Sequence, residues 1–207
     1  MNFEEEINYL ELLKIDSDYI IKKGNLPILF TAPHTMEQLR EDGSIKLSEP
    51  YTKAIALYLN KHYDVNCMIK IKDTGVDANK DNRDKFKTEL LRFIRDNKIK
   101  ILIDLHGADK RRNFDVEFGT LNNLTASFST IKELEEAFID NGIHNIVYNN
   151  PFKGGAITEY VYGIKDVDVI QIEINGKYRD INNIDNLAKI TNSFESFIKQ
   201  YKEYINR

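Results

Sequence analysis

The chain has 207 residues, with 29 Lys plus Arg against 33 Asp plus Glu, a formal net charge of −4 and 42% hydrophobic residues. This is the composition of an ordinary globular protein. It carries no basic footprint of a nucleic-acid binder, and its single cysteine, Cys67, excludes an internal disulfide and a cysteine-rich zinc site. No apolar run approaches the ~18 residues of a membrane span, and the acidic opening Met1-Asn2-Phe3-Glu4-Glu5-Glu6 is unlike the positive start of a signal peptide. The expectation is one domain over residues 1–207, cytoplasmic, with neither nucleic acid nor membrane as partner.

Helix and strand patterns alternate along the chain. Residues 3–14 read as a helix with Phe3, Ile7, Leu10 and Leu13 on one face. A short apolar strand at 27–31 runs into Ala32-Pro33-His34. A helix is predicted at 51–63, a strand at 66–72 and a second helix at 83–97 with Phe86, Leu90, Leu91, Phe93 and Ile94 inward. Residues 100–105 contain Ile101-Leu102-Ile103, the continuous apolar run of a strand buried on both faces. A strand at 114–119 follows closely, and Thr130-Ile131-Lys132-Glu133 fits a capping box opening a helix that Gly142 closes. Strands at 144–148 and 167–174 precede a long amphipathic helix at 183–205, on which Leu187, Ile190, Phe194, Phe197, Ile198 and Tyr201 recur at three and four. The alternation predicts a three-layer α/β/α sandwich. The close pair 100–105 and 114–119 makes its central sheet mixed.

Polar residues gather where these strands end, which is where loops converge in such sheets. His34-Thr35-Met36-Glu37 pairs an imidazole and a carboxylate that could share one metal ion, or cap a strand end and face solvent. In Asp104-Leu105-His106, alternation puts both polar groups on one side of the strand, so Asp104 could accept the free N–H of a ligating His106. Asp109, three residues on, is a competing carboxylate. Glu173 stands in the apolar strand Val169-Ile170-Gln171-Ile172-Glu173-Ile174. A buried carboxyl there has a raised pKa suited to a general base, or is paired with a cation. The loop 149–155, with Lys153 before Gly154-Gly155, can present backbone N–H groups and a cation to an anion, or be an ordinary turn. Arg111-Arg112 could bind a carboxylate bidentately or be solvated. Asp77 to Asp81 resembles half an EF-hand, but Asn82 and Thr88 replace its glycine and terminal glutamate, which rejects calcium. His62, His144 and Cys67 read as structural.

Taken together, Ala32-Pro33-His34 with Glu37, residues 40–46, Asp77-Ala78-Asn79, residues 103–108, Pro151 to Gly155 and residues 169–175 resemble the N-formylglutamate amidohydrolase family, whose fold is like that of zinc carboxypeptidases. Thr35-Met36 after Pro33-His34 marks a divergent member. The resemblance implies that His34, Glu37 and His106 hold zinc, that Glu173 is the general base, and that Asn79 is among the substrate-binding residues. Arg83, Arg111, Arg112 and Lys153 are then candidates to stabilise an oxyanion or bind a carboxylate. The implied activity is zinc-dependent cleavage of the amide of a small N-acyl amino acid such as N-formylglutamate. A carboxypeptidase-like metallopeptidase acting on short peptides and a non-catalytic binding module are the alternatives.

Overall fold

A computed structural model describes residues 1–80 and 84–206. Its elements in chain order are α1 (Phe3–Leu12), β1 (Tyr19–Lys22), β2 (Ile28–Ala32), β3 (Gln38–Leu39), β4 (Ile45–Lys46), α2 (Thr52–Tyr63), β5 (Asn66–Lys70), α3 (Lys85–Asp96), β6 (Ile101–Ala108), β7 (Val116–Gly119), α4 (Phe128–Asp140), β8 (Ile146–Tyr148), α5 (Ala156–Val161), β9 (Asp168–Asn175) and α6 (Ile184–Ile205). No helix among the described residues is long and apolar enough to cross a membrane.

Seven strands form one mixed sheet in the order β1-β5-β2-β6-β9-β7-β8. The central β5, β2, β6 and β9 are parallel, while β1 and β7 run antiparallel to their neighbours β5 and β9. Strands β2, β6 and β7 are buried at every position or nearly so, which explains their continuous apolar runs. On one face, Ile28, Phe30, Ile103, Leu105, Ile170, Ile172 and Ile174 pack with residues of α1, α2, α4 and α6. On the other, Leu29, Met68, Leu102 and Val169 pack with α3 and α5. This is the three-layer arrangement that the alternation predicts.

The chain leaves β2 through α2 to reach β5 on one side, then crosses back through α3 to β6 on the other. Connections therefore depart in opposite directions at the carboxyl ends of β2 and β6, which opens a crevice between them. Several elements differ from the sequence reading, which lacks the two-residue strands β3 and β4. Helix α4 starts at Phe128, not Thr130, because Ser127 extends as N-cap and its side chain accepts from Thr130 N at 3.2 Å. Strand β1, a four-residue edge strand, and α5, only six residues long, carry too few residues for a periodic signal.

Candidate metal and active site

Strand β2 ends at Ala32, and Pro33 carries the chain to His34, which is 3% exposed. The His34 carbonyl accepts from Glu49 N at 2.7 Å, so the residues just before α2 lie against the end of β2. On β6, His106 stands two residues beyond Asp104 and faces the same side. The two imidazole rings are 4.9 Å apart between centroids.

Glu49 lies between them. Its Oε1 is 3.2 Å from His34 Nδ1 and its Oε2 3.4 Å from His106 Nδ1. The opposite nitrogen of each ring meets a buried carboxylate. His34 Nε2 is 2.7 Å from Asp77 Oδ1, and His106 Nε2 is 2.9 Å from Asp104 Oδ2. Each ring thus turns Nε2 to an aspartate and Nδ1 to Glu49, and an Nε2–H donated to a carboxylate is the arrangement that orients histidines ligating through the other nitrogen. His34, Glu49 and His106 are all buried, and their donor atoms lie within 4.8 Å of one another.

Each supporting aspartate is itself held. Asp77 accepts from Arg40 Nε at 2.8 Å and from Asn79 N at 2.9 Å, and Asp104 accepts from Thr31 Oγ1 at 2.6 Å. Buried Lys70 donates to Val76 O and to Asp84 Oδ2, each at 2.5 Å, and so pins the segment that delivers Asp77. Burial alone would raise Glu49, but His106 and His34 hold it well below the usual carboxylate range. Burial would lower His106, yet Asp104 and Glu49 outweigh it and push the imidazole well above its ordinary value.

Glu173 on β9 pairs in register with His106, and Glu117 on β7 pairs with Glu173. Glu173 is 7% exposed, and its Oε1 accepts from Gln171 Nε2 at 3.0 Å. Burial pushes its carboxyl up to about 7, against the opposing pull of His106. Asn79 links the parts: its Nδ2 is 3.2 Å from His106 Nε2 and 3.4 Å from Gln171 Oε1, while its Oδ1 accepts from Ile157 N at 3.1 Å. A cleft of about 550 Å³ opens above these groups, with Arg40, Lys46, Arg112 and Lys153 in its lining.

The structure thus brings His34, His106, Glu173, Asn79, Arg112 and Lys153 around one cleft. It does not bring Glu37 there. That side chain is exposed on the loop before β3, and Glu49 stands beside both histidines in its place. The physical reason is the path of the chain: after His34 it makes the β3–β4 hairpin and returns, and the backbone bond from Glu49 N to His34 O fixes the returning glutamate. Arg111 is 86% exposed at its side chain and paired at 2.8 Å with Asp109, which occupies both. Arg83 lies outside the described residues. Cys67 is buried in β5, and desolvation pushes its thiol up to about 12, far from a nucleophile's range. Glu49 is absent from the sequence reading, and Arg40 and Lys46 stand there only within the 40–46 segment of the resemblance, with no role of their own; the one local signal for Glu49 is a carboxylate shortly before a helix start.

The fit to a metal ion rests on the donor set. Two imidazole nitrogens and a carboxylate oxygen are ligands suited to zinc, and Glu49 Oε2, though buried, has no hydrogen-bond partner among the described residues. A buried carboxylate oxygen left so is costly unless a cation takes it up.

Comparison with known proteins bears on the fold and the family. The family model for N-formylglutamate amidohydrolase matches residues 83–178. No match is found among curated proteins. Among solved structures, an N-formylglutamate amidohydrolase from Ralstonia eutropha is similar at a TM-score of 0.64 and 13% identity, covering 92% of this chain and 98% of that one. A bacteriophage poly-gamma-glutamate hydrolase is similar at 0.60 and 13% identity, covering 94% and 93%. An N-acetylmuramoyl-L-alanine amidase from Clostridium difficile follows at 0.50 and 14% identity, covering 88% and 98%. The structures establish the shared fold, and the family match indicates a hydrolase of the amidohydrolase type.

Proposed function

We propose that this chain is a zinc-dependent hydrolase cleaving the amide bond of a small N-acyl amino acid, N-formylglutamate among the candidates. The observation that carries the reading is the convergence of the buried His34, Glu49 and His106 side chains, with donor atoms within 4.8 Å of one another, beside the buried Glu173. His34, Glu49 and His106 would hold the ion. Zinc with three protein ligands and an open position supplies a Lewis acid and brings the pKa of water down to about 7.

The chain's own residues do the rest. Glu173, with a carboxyl raised to about 7, is matched to accepting a proton from the attacking water near neutrality and returning it to the leaving amine nitrogen. Gln171 Nε2, 3.0 Å from Glu173 Oε1, orients that carboxyl. Asp77 and Asp104 keep the two imidazoles in one tautomer and one orientation. Arg112 and Lys153 line the same cleft with no carboxylate in ion-pairing distance among the described residues. They support a substrate bearing its own carboxylate, fixed in register over the reacting amide.

The test is a metal analysis of purified protein, followed by hydrolysis of N-formylglutamate beside its α-amide and γ-amide at fixed zinc and pH. About one zinc per chain and a 10- to 100-fold preference for the free acid are expected, the scale of one lost charged hydrogen bond. Equal rates on all three remove the carboxylate clamp. Cleavage of blocked dipeptides in preference to formyl amino acids moves the assignment to a peptidase, and zinc binding without turnover of either leaves a binding module.

A further inference from the structure

Arg179 is 9% exposed, and no carboxylate lies within ion-pairing distance of it among the described residues. Its guanidinium is instead spent on three backbone carbonyls. Nε donates to Ile174 O at 3.0 Å, Nη1 to Pro50 O at 2.8 Å and Nη2 to Ala108 O at 3.1 Å. Those acceptors lie on three separate segments, and each is one or two residues beyond a site side chain: Pro50 follows Glu49, Ala108 follows His106 by two, and Ile174 follows Glu173. The guanidinium plane lies against Gly107, where an added Cβ would fall 2.3 Å from Arg179 Cζ. Glu49 and Glu173 are the foremost negative groups acting on it.

A buried cation is expensive where an apolar side chain of the same size would pack. What a planar fork offers here is fixed geometry: three N–H vectors in one plane, two assigned to the ends of β6 and β9 and one to the turn before α2. We infer that Arg179 is a positioning residue that sets Glu49, His106 and Glu173 at their mutual distances by tying together the backbone segments that carry them. The inference rests on the reading of His34, Glu49 and His106 as metal ligands. Lysine cannot replace the fork, since its single ammonium cannot reach three acceptors in a plane.

The experiment titrates metal-free full-length protein with Zn²⁺ against a chromophoric chelator, for wild type, Arg179→Lys and Gly107→Ala. Circular dichroism confirms folding, and kcat and KM are measured on the loaded proteins. Gly107→Ala keeps the arginine but displaces its plane, so it reports on the same contacts by another route. Expected are folded variants with zinc affinity reduced about 10- to 100-fold, the range for removing groups that orient ligands, and a loss in kcat larger than the change in KM. Wild-type zinc affinity in the folded variants overturns the inference, as does collapse of both variants, which would make Arg179 a structural staple alone. Wild-type protein that takes up no zinc overturns the metal reading itself, a result separable from the other two.

Discussion

On one face of the central strands, Ile28, Phe30, Ile103, Leu105, Ile170, Ile172 and Ile174 stay apolar along the full length of the sheet. On the other, Leu29, Leu102 and Val169 supply one apolar row, followed by Thr31, Asp104 and Gln171, and then by His106, Glu173 and Glu117. The backbone is the same, and alternation alone sends neighbouring residues to opposite faces. Four helices cover the first face, whereas among the described residues only α3 and the six-residue α5 cover the second. The polar rows stand at the strand ends beyond that thinner layer, buried beneath the segments that carry His34, Glu49 and Asn79. Packing and chemistry are thus separated by one residue of register, and a substitution should act on stability or on the site according to the face it occupies.

The largest break in this comparison should come from His106→Ala. On the proposed function it removes one of three ligands, and high-affinity zinc binding should be lost while the far-ultraviolet dichroism and the apolar face persist. Full zinc retention in a metal titration would remove the end of β6 from the site. Glu173→Gln comes next. It keeps the size of the side chain and the bond geometry to Gln171, so zinc should remain bound while turnover falls roughly 10²–10⁴-fold, the contribution of a general base. Wild-type turnover on a verified substrate would shift the proton transfer to another group, with Glu117 the adjacent carboxyl in register.

The opposite face gives the complementary result. Phe30 is fully buried and packs edge-on against Phe194, with ring centroids 5.3 Å apart. Phe30→Ala should lower unfolding free energy by about 3–5 kcal/mol, from lost transfer energy plus the cavity left behind. Zinc affinity and turnover per folded molecule should stay within about twofold, well inside that range. A denaturant titration read alongside the zinc titration separates the two; loss of zinc affinity in folded Phe30→Ala would mean that the faces are coupled through the strand.

Much of this separation is legible in the sequence, because burial rules act locally. Ile101-Leu102-Ile103 announces a central strand, and a histidine or glutamate inside such a run stands out as polar where packing asks for apolar. His106 and Glu173 are visible on that ground, and His34 because it follows a strand directly. Glu49 is not, since it lies in a loop where carboxylates are ordinary, and only the return of the chain through the β3–β4 hairpin brings it to His34. Arg179 escapes for a related reason: its partners are backbone carbonyls on three segments 5, 71 and 129 residues away, and carbonyls carry no sequence identity. The N-cap of α4 is a smaller instance. Ser127 and Thr130 are both good capping types, and both are tied across the fold to Asp168, which accepts from Ser127 N at 2.9 Å and from Thr130 Oγ1 at 2.5 Å.

The smallest expected effect is the sharpest check on which glutamate joins the histidines. The family resemblance implies Glu37, three residues after His34, and a His-x-x-Glu pair on one turn can reach one ion. In the folded chain, Glu37 is exposed, whereas Glu49 is 4% exposed, with Oε1 3.2 Å from His34 Nδ1 and Oε2 without a hydrogen-bond partner among the described residues. An exposed carboxylate outside the group gains little from an ion and loses little when removed. Glu37→Gln should therefore leave zinc affinity within about twofold of wild type, while Glu49→Gln, which on the proposed function strips a charged ligand from between two imidazoles, should weaken it severely. Parallel zinc titrations of the two variants decide the matter. A large loss in Glu37→Gln with Glu49→Gln unchanged would restore the ligand pair implied by the resemblance and assign the buried Glu49 to holding the two histidines by charge alone.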